Sequence, residues 1–255
     1  MKIHRFIGNF NLSKVELEIN DKEIVNQMKN VLRLKIGEII ELCNGKDISA
    51  MAEIVKIEKN TIDVSIKEIV KDKNKTKNNV TLFCAILKKE NFELVVQKTT
   101  ECGISKIVPI ITSRTIKNGL NMDRLRKIAK EASEQCGRIN IPEILEPIKF
   151  EEAINNSEGE TLLFDAEGEL FFETHCAGRR SEHSNSPAGE YVRVSKDNSL
   201  TAEQYSIFIG PEGGWTEEEI EKTKKLNFKT ASLGPLILRG ETAAIIATYL
   251  ISNLK

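Results

Sequence analysis

Residues 207–219, IFIGPEGGWTEEE, run from an apolar strand through a glycine-rich turn into the start of a helix. The glycines of Gly210-Pro211-Glu212-Gly213-Gly214 permit tight backbone turns and let a ligand approach the main chain closely. Thr216 and Glu219 fit the T-x-x-E capping box, and Glu217 and Glu218 complete the first helical turn. The segment is not a phosphate cradle. It carries no lysine and matches neither G-x-x-x-x-G-K-[ST] nor G-x-G-x-x-G. Its three glutamates occupy the positive end of the helix dipole, where a phosphate would meet like charge. The loop suits a neutral or cationic ligand held by backbone hydrogen bonds, or else it is a plain tight strand–helix turn.

A second loop of similar build is LGPLILRGETAA, residues 233–244. Gly234-Pro235 ends a strand, Leu236–Leu238 are apolar, and Arg239 and Gly240 precede a helix starting near Glu241. Apolar residues between turn residues can wall a pocket for a flat aromatic ligand. Arg239 would then be a fixed cation beside the substrate; alternatively it caps carbonyls or pairs Glu241. Both Gly-Pro loops are expected at the C-terminal ends of neighbouring strands, the edge at which open α/β sheets bind ligands.

Outward from these loops, strands and helices alternate from residue 80. VTLFCAIL, KIVPIIT, TLLFDAE, YSIFIG and FKTASLG read as strands. FELVVQKTTECG, MDRLRKIAKEASEQCGR, TEEEIEKTKKLN and ETAAIIATYLISNLK read as helices, two of them closed by Gly103 and Gly137. This alternation predicts a mainly parallel sheet with helices on both faces. Residues 1–70 differ. Asp21 caps a helix with Ile24, Val25, Met28, Val31 and Leu32 on its apolar face. IIELC, the hairpin signal Asn44-Gly45, AMAEIVKIE and TIDVSIKEI then predict a small barrel or rolled sheet. KDKNKTKNN, residues 71–79, has four lysines and no apolar residue, and reads as a solvated linker or an RNA contact. The predicted domains are therefore 1–70 and 80–255. A polar stretch, residues 172–204, interrupts the second domain and reads as a surface insertion; His175, Cys176 and His183 within it form no metal-site pattern.

The 255 residues carry a net charge of −1, but residues 1–149 hold +7 and residues 150–255 hold −8. Such a split permits a cationic surface for nucleic acid within a near-neutral total. Between Lys88 and Arg138 there are 11 basic and 6 acidic residues. Few aromatics accompany them, so a folded RNA surface suits this stretch better than a stacking platform; part of the charge is the solvated face of helix 121–138. With 40% hydrophobic residues the chain reads as globular, and no apolar run is long enough for a membrane span. The start shows no signal peptide. Five scattered cysteines suggest a reducing cytosol and no zinc site. The three histidines lie in no triad and no H-E-x-x-H, and Cys102 and Cys136 read as core residues on amphipathic helices.

The blocks QKTTECGISKIVP, KEASEQCGR, IGPEGGWTEEE and SLGPLILRGETAA, in this order, resemble the RsmE family of SPOUT-class methyltransferases over nearly the whole chain. The resemblance implies an α/β trefoil-knotted SPOUT methyltransferase domain with an N-terminal PUA-like β-barrel domain that binds RNA. It implies S-adenosylmethionine as cofactor and methylation of N3 of a uridine in 16S ribosomal RNA near the decoding centre. A homodimer in the cytoplasm, acting on 16S rRNA or the small ribosomal subunit without metal, follows from the same likeness. Carried onto this sequence, the cofactor contacts are Ile209, Gly210, Glu212, Gly213, Leu233, Gly234, Leu238 and Arg239. Arg239 is the candidate for stabilising charge on the uracil carbonyls, and Glu241 is either a general base or a helix cap. Arg5, Arg33, Lys88, Lys98, Arg114 and Arg138 are the candidate RNA contacts. The chain departs from the family pattern at Leu236 and Gly240, where arginine and threonine are common, and its insertion at 172–204 is longer. Two competing readings are a non-catalytic RNA-binding assembly factor and a SPOUT enzyme acting on another RNA site.

Overall fold

The computed structural model describes residues 3–71, 76–116, 119–171 and 204–254. Most of the 172–204 insertion, with His175, Cys176 and His183, lies outside them, as do residues 72–75 of the expected linker and Lys117. The chain forms two compact units, Met1–Lys75 with Arg126–Pro142, and Thr76–Leu125 with Glu143–Lys255. The division expected from sequence placed 126–142 with the second unit.

In the first unit, β1 (His4–Ile7), β3 (Ile39–Cys43), β4 (Ile48–Ile57), β5 (Ile62–Lys71) and β2 (Glu16–Ile19) make one sheet in that order. β1 runs parallel to β3, and the other ladders are antiparallel. β1 and β2 were not anticipated. Ile40 and Leu42, two apart in β3, are buried on the same side because side chains alternate along a strand; Ala50, Ala52 and Ile54 do the same in β4. They join Phe6, Ile19, Ile24, Met28 and Val64 in one core. Asp21 caps α1 (Lys22–Asn26) as expected, accepting the Glu23 and Ile24 amides at 2.9 and 3.0 Å. The helix does not continue regularly. A π-helical turn, Gln27–Val31, follows and leaves Val31 67% exposed, off the apolar face on which a 3.6-residue period placed it. The 44–47 turn is held by Asn44, whose Oδ1 accepts the amides of Lys46, Asp47 and Ile48. From the 126–142 segment, Glu134 accepts the Ile7 amide at 2.8 Å, and Ile139 packs with Ile7 and Cys43.

The second unit carries β6 (Asn79–Ala85), α2 (Lys89–Glu101), β7 (Lys106–Ile111), β8 (Glu143–Ile144), β9 (Ile148–Lys149), α4 (Phe150–Asn155), β10 (Glu160–Leu170), β11 (Gln204–Ile209), α5 (Glu217–Lys225), β12 (Lys229–Ser232) and α6 (Gly240–Ser252). Between β7 and β8, α3 (Met122–Cys136) passes from the second unit into the first at Leu125/Arg126. The sheet order is β12-β10-β11-β6-β7-β8, with β9 also on β7, and every ladder is parallel. One face packs Phe83, Val108, Phe208, Phe150 and Trp215 into a core reached by α4 and by Ile220 of α5. α2 and α6 pack on each other, and α6 lies against β6 and β11, covering the opposite face. Phe83 and Phe208, neighbours in register on β6 and β11, stack at 4.5 Å. Cys136 is exposed at the end of α3 and Cys102 is partly exposed, so neither is the core residue that helical periodicity suggested.

Candidate active site

The loop after β11 and the loop after β12 open into one cavity of about 680 Å³. They do so although their strands are not neighbours, because β10 lies between them and contributes Phe164 to Ala166, where its ladder with β11 stops, to the lining. The expectation of adjacent strands is thus corrected, while the convergence at the C-terminal sheet edge stands. Ile209, Gly210, Glu212, Gly213, Leu233, Leu238 and Arg239 all line the cavity; Gly234 does not, and its φ of +145° serves the turn instead. The lining holds three carboxylates, Asp165, Glu212 and Glu241, against two cations, Lys88 and Arg239. Leu233, Leu236, Ile237 and Leu238 supply an apolar wall.

Backbone geometry at Gly210 and Gly240 depends on the missing side chains. A Cβ on Gly210 would fall 3.0 Å from Trp215 Cε2, and one on Gly240 would fall 3.0 Å from Leu87 Cδ2. Trp215 is buried, donates from Nε1 to the Phe164 carbonyl at 3.0 Å, and packs against Phe150. It therefore ties the glycine loop to the end of β10. A side chain at position 240 would meet the tip of Leu87 here.

The start of α5 is built as the sequence suggests, with both hydrogen bonds of the Thr216–Glu219 capping box present. Glu219 does more than cap. It is only 2% exposed, and its other oxygen accepts the Ser113 amide at 2.9 Å. From the same turn, Arg114 Nη1 donates to the carbonyls of Gly213 at 2.6 Å and Trp215 at 3.2 Å. Counting charges along the chain assigned Arg114 to RNA; the fold places its guanidinium on the glycine loop.

Helix α6 begins at Gly240 with Arg239 as its N-cap, so Glu241 is not the cap. Glu241 is 8% exposed and faces the cavity. Among the described residues, the Arg239 side chain makes no cap hydrogen bond on α6, and it lines the cavity beside Glu241. Beneath the cavity, burial pushes the thiol of Cys84 far above its ordinary range, and the charges of Glu212 and Glu241 add to the shift. A thiol held neutral in this way is no nucleophile.

The other expected RNA contacts are distributed. Lys88 is exposed at the cavity rim, and its amide donates to Glu212 Oε1 at 3.4 Å. Lys98 pairs with Glu101 at 2.9 Å. In the first unit Arg5 is bound to Glu41 at 2.7 Å in a largely buried pair, Arg138 donates to Asn140 at 3.2 Å, and Arg33 is exposed with φ +54°. Asp165, Trp215, Ser113 and Glu219 were not foreseen as site residues. Only Glu219 carried a local signal, its capping motif. No described helix is long and apolar enough to cross a membrane.

Comparison with known proteins agrees with this geometry. Residues 74–252 match the RNA methyltransferase domain and residues 19–67 the RNA methyltransferase PUA domain. Ribosomal RNA small subunit methyltransferase E of Rickettsia conorii is 34% identical over 97% of this chain and 94% of its own length. The protein of the same name from Bacillus subtilis is 28% identical over 90% and 87%. Among solved structures, the Neisseria gonorrhoeae ribosomal RNA small subunit methyltransferase E bound to S-adenosylmethionine superposes with a TM-score of 0.80 at 27% identity, covering 97% of this chain and 95% of that one. A putative methyltransferase of Legionella pneumophila in complex with the same cofactor gives 0.79 at 28%, over 98% and 97%. The fold is that of a SPOUT-type RNA methyltransferase with a PUA domain, and the chain belongs to the ribosomal RNA small subunit methyltransferase E family.

Proposed function

We propose that this protein uses S-adenosylmethionine to methylate N3 of a uridine in 16S ribosomal RNA. The observation that carries the reading is the convergence of both glycine loops on one cavity with three carboxylates and two cations in its lining. A cofactor bearing a sulfonium cation, an adenine ring and no phosphate fits that lining. The cavity volume lies within the usual range for small-molecule sites, about 300–1,000 Å³. The apolar wall of Leu233 and Leu236–Leu238 suits the adenine, and the backbone of Ile209, Gly210, Glu212 and Gly213 offers it hydrogen bonds. When bound, S-adenosylmethionine supplies a methyl group on an electrophilic sulfonium.

The chain's own residues have to make a poor nucleophile competent. N3 of uracil is an imide nitrogen and must shed its proton. Glu241, a carboxylate lining the cavity, takes that proton in this reading. The negative charge left behind spreads onto the two uracil carbonyl oxygens, where Arg239 stabilises it. Its guanidinium lines the cavity and makes no cap hydrogen bond among the described residues, so it can turn to those oxygens. Lys88 at the rim and Arg33 are proposed to meet RNA phosphates, whereas Arg5, Lys98, Arg114 and Arg138 already serve protein partners.

The finer architecture belongs to the same proposal. The first unit rolls into a PUA-like barrel, a reading supported by β1 and β2 both burying residues in its single core. The second is trefoil-knotted, a reading supported by the return of the chain from β12, at the sheet edge, to a cavity that Gly240 and Gly210 line together beyond β10. A homodimer is supported by Leu236 and Ile237, which stand 77% and 88% exposed beside the cavity. Titration calorimetry with S-adenosylmethionine tests the cofactor reading. Binding at micromolar concentration or tighter is expected, and no binding would instead favour a non-catalytic assembly factor.

A further inference from the structure

The turn between β7 and α3 approaches the glycine loop from the side remote in sequence. Three bonds join them: Ser113 amide to Glu219, and Arg114 Nη1 to the Gly213 and Trp215 carbonyls. We propose that Arg114 is a positioning residue for cofactor binding, its guanidinium fixing the Gly210–Trp215 backbone in the shape that receives the ligand. The proposal rests on the reading of that loop as part of the S-adenosylmethionine site.

The physical need is clear from the loop's composition. Gly210, Gly213 and Gly214 have the largest backbone freedom of any residue, so a free loop would populate many shapes. Ordering each residue only on binding would cost about 1–2 kcal/mol of affinity per residue. Anchoring the loop beforehand removes that cost from the binding step. One end is anchored by the Thr216–Glu219 box and by Trp215 on Phe164. Arg114 and the Lys88 amide, which donates to Glu212, add hydrogen bonds between the Gly210–Trp215 segment and another part of the chain.

The fit between the partners is close. A Cβ on residue 213 would lie 3.3 Å from Arg114 Cδ, so glycine there admits the arginine stem. The carbonyls of 213 and 215 turned toward Arg114 leave the opposite side of the loop to the cavity it lines. Both bonds leave the single nitrogen Nη1, so an ammonium on a shorter, more flexible stem can replace them only in part.

Arg114→Ala and Arg114→Lys test the proposal on the full chain. S-adenosylmethionine affinity is read by calorimetry, amide exchange at 213–215 by mass spectrometry of the cofactor-free protein, and KM for cofactor and for RNA by methyl transfer. Arg114→Ala is expected to weaken cofactor binding by about tenfold or more, the effect of losing one charge-assisted hydrogen bond. Exchange at 213–215 should quicken, Arg114→Lys should restore part of the affinity, and KM for RNA should not move. If Arg114→Ala proves unfolded, the lysine variant carries the test through its partial loss. Wild-type affinity in a folded Arg114→Ala protein, or a raised KM for RNA with cofactor affinity unchanged, overturns the proposal. Failure of the unaltered protein to bind cofactor is a different result, which overturns the reading of the site itself.

Discussion

Replacing Gly210 by alanine asks whether the glycine loop and Trp215 act as one packed unit. The new methyl would stand 3.0 Å from Cε2, 3.1 Å from Nε1 and 3.4 Å from Cδ2 of the indole. The ring cannot simply swing away, since it is 6% exposed, hydrogen-bonded to the Phe164 carbonyl at 3.0 Å and 5.3 Å from the Phe150 ring. Overpacking a fixed core group costs about 1–3 kcal/mol. Strain on the indole hydrogen bond adds up to about 1 kcal/mol. A destabilisation of about 2 kcal/mol is expected, read as a lowered urea midpoint at unchanged slope. Because Trp215 also ties the loop to β10, cofactor affinity should fall by about tenfold for each 1.4 kcal/mol that reaches the cavity. The control is the same substitution in a Trp215→Leu background, where the alanine methyl has room; a double-mutant cycle should show coupling of about 1 kcal/mol or more. An unchanged midpoint and unchanged cofactor affinity in the single variant would refute the reasoning.

Three further outcomes are expected. Arg239→Ala should abolish methyl transfer while sparing most cofactor affinity, compared by calorimetry and radiolabelled methyl incorporation; unaltered turnover would remove Arg239 from the reaction. For Glu134, burial raises the carboxyl pKa above its ordinary 4.5, against the opposing pull of the Ile7 amide, Lys130 and Gln27, with Glu131 adding to the rise. The native state then holds this proton more tightly than the unfolded chain, so the contribution to stability is full at pH below 4.5 and is lost as pH rises through the native value. Glu134→Gln should flatten that decline in urea midpoints measured from pH 4.5 upward, and parallel profiles for the two proteins would contradict it. Asp21→Ala should lower stability by about 1 kcal/mol in the same unfolding assay, through loss of the α1 cap; an unaltered midpoint would show the cap to be redundant.

What could be read from sequence was local, and what could not be read was distant. The Thr216–Glu219 box and the Asp21 cap each lie within four consecutive residues, and both form as expected. Gly-Pro punctuation placed two loops at strand ends, but strand order is not written in periodicity, so β10 between them was unforeseen. Trp215 and Phe164 are 51 positions apart, and Arg114 and Gly213 are 99 apart. A tally of cations along the chain cannot see such partners, so the place of Arg114 on the glycine loop was not legible in it. The π-helical turn at Gln27–Val31 escaped for a different cause. One widened turn rotates every later side chain, and an apolar pattern written for 3.6 residues per turn does not register it. The charge split fared better as a guide to ligand chemistry, since three glutamates at a helix start argued against phosphate and the cavity above them is acidic.

The central claim is a reaction at a defined atom, and nucleoside mass spectrometry reads that atom directly. Small ribosomal subunits, or their 16S RNA, from cells in which this gene has been deleted are incubated with the purified protein and S-adenosylmethionine, then digested and separated. The account predicts that 3-methyluridine is absent before incubation, appears after it, and fails to appear with Arg239→Ala. A 16S RNA that already contains full 3-methyluridine in the deleted cells, or a methyl group that appears on another atom or not at all, would contradict it.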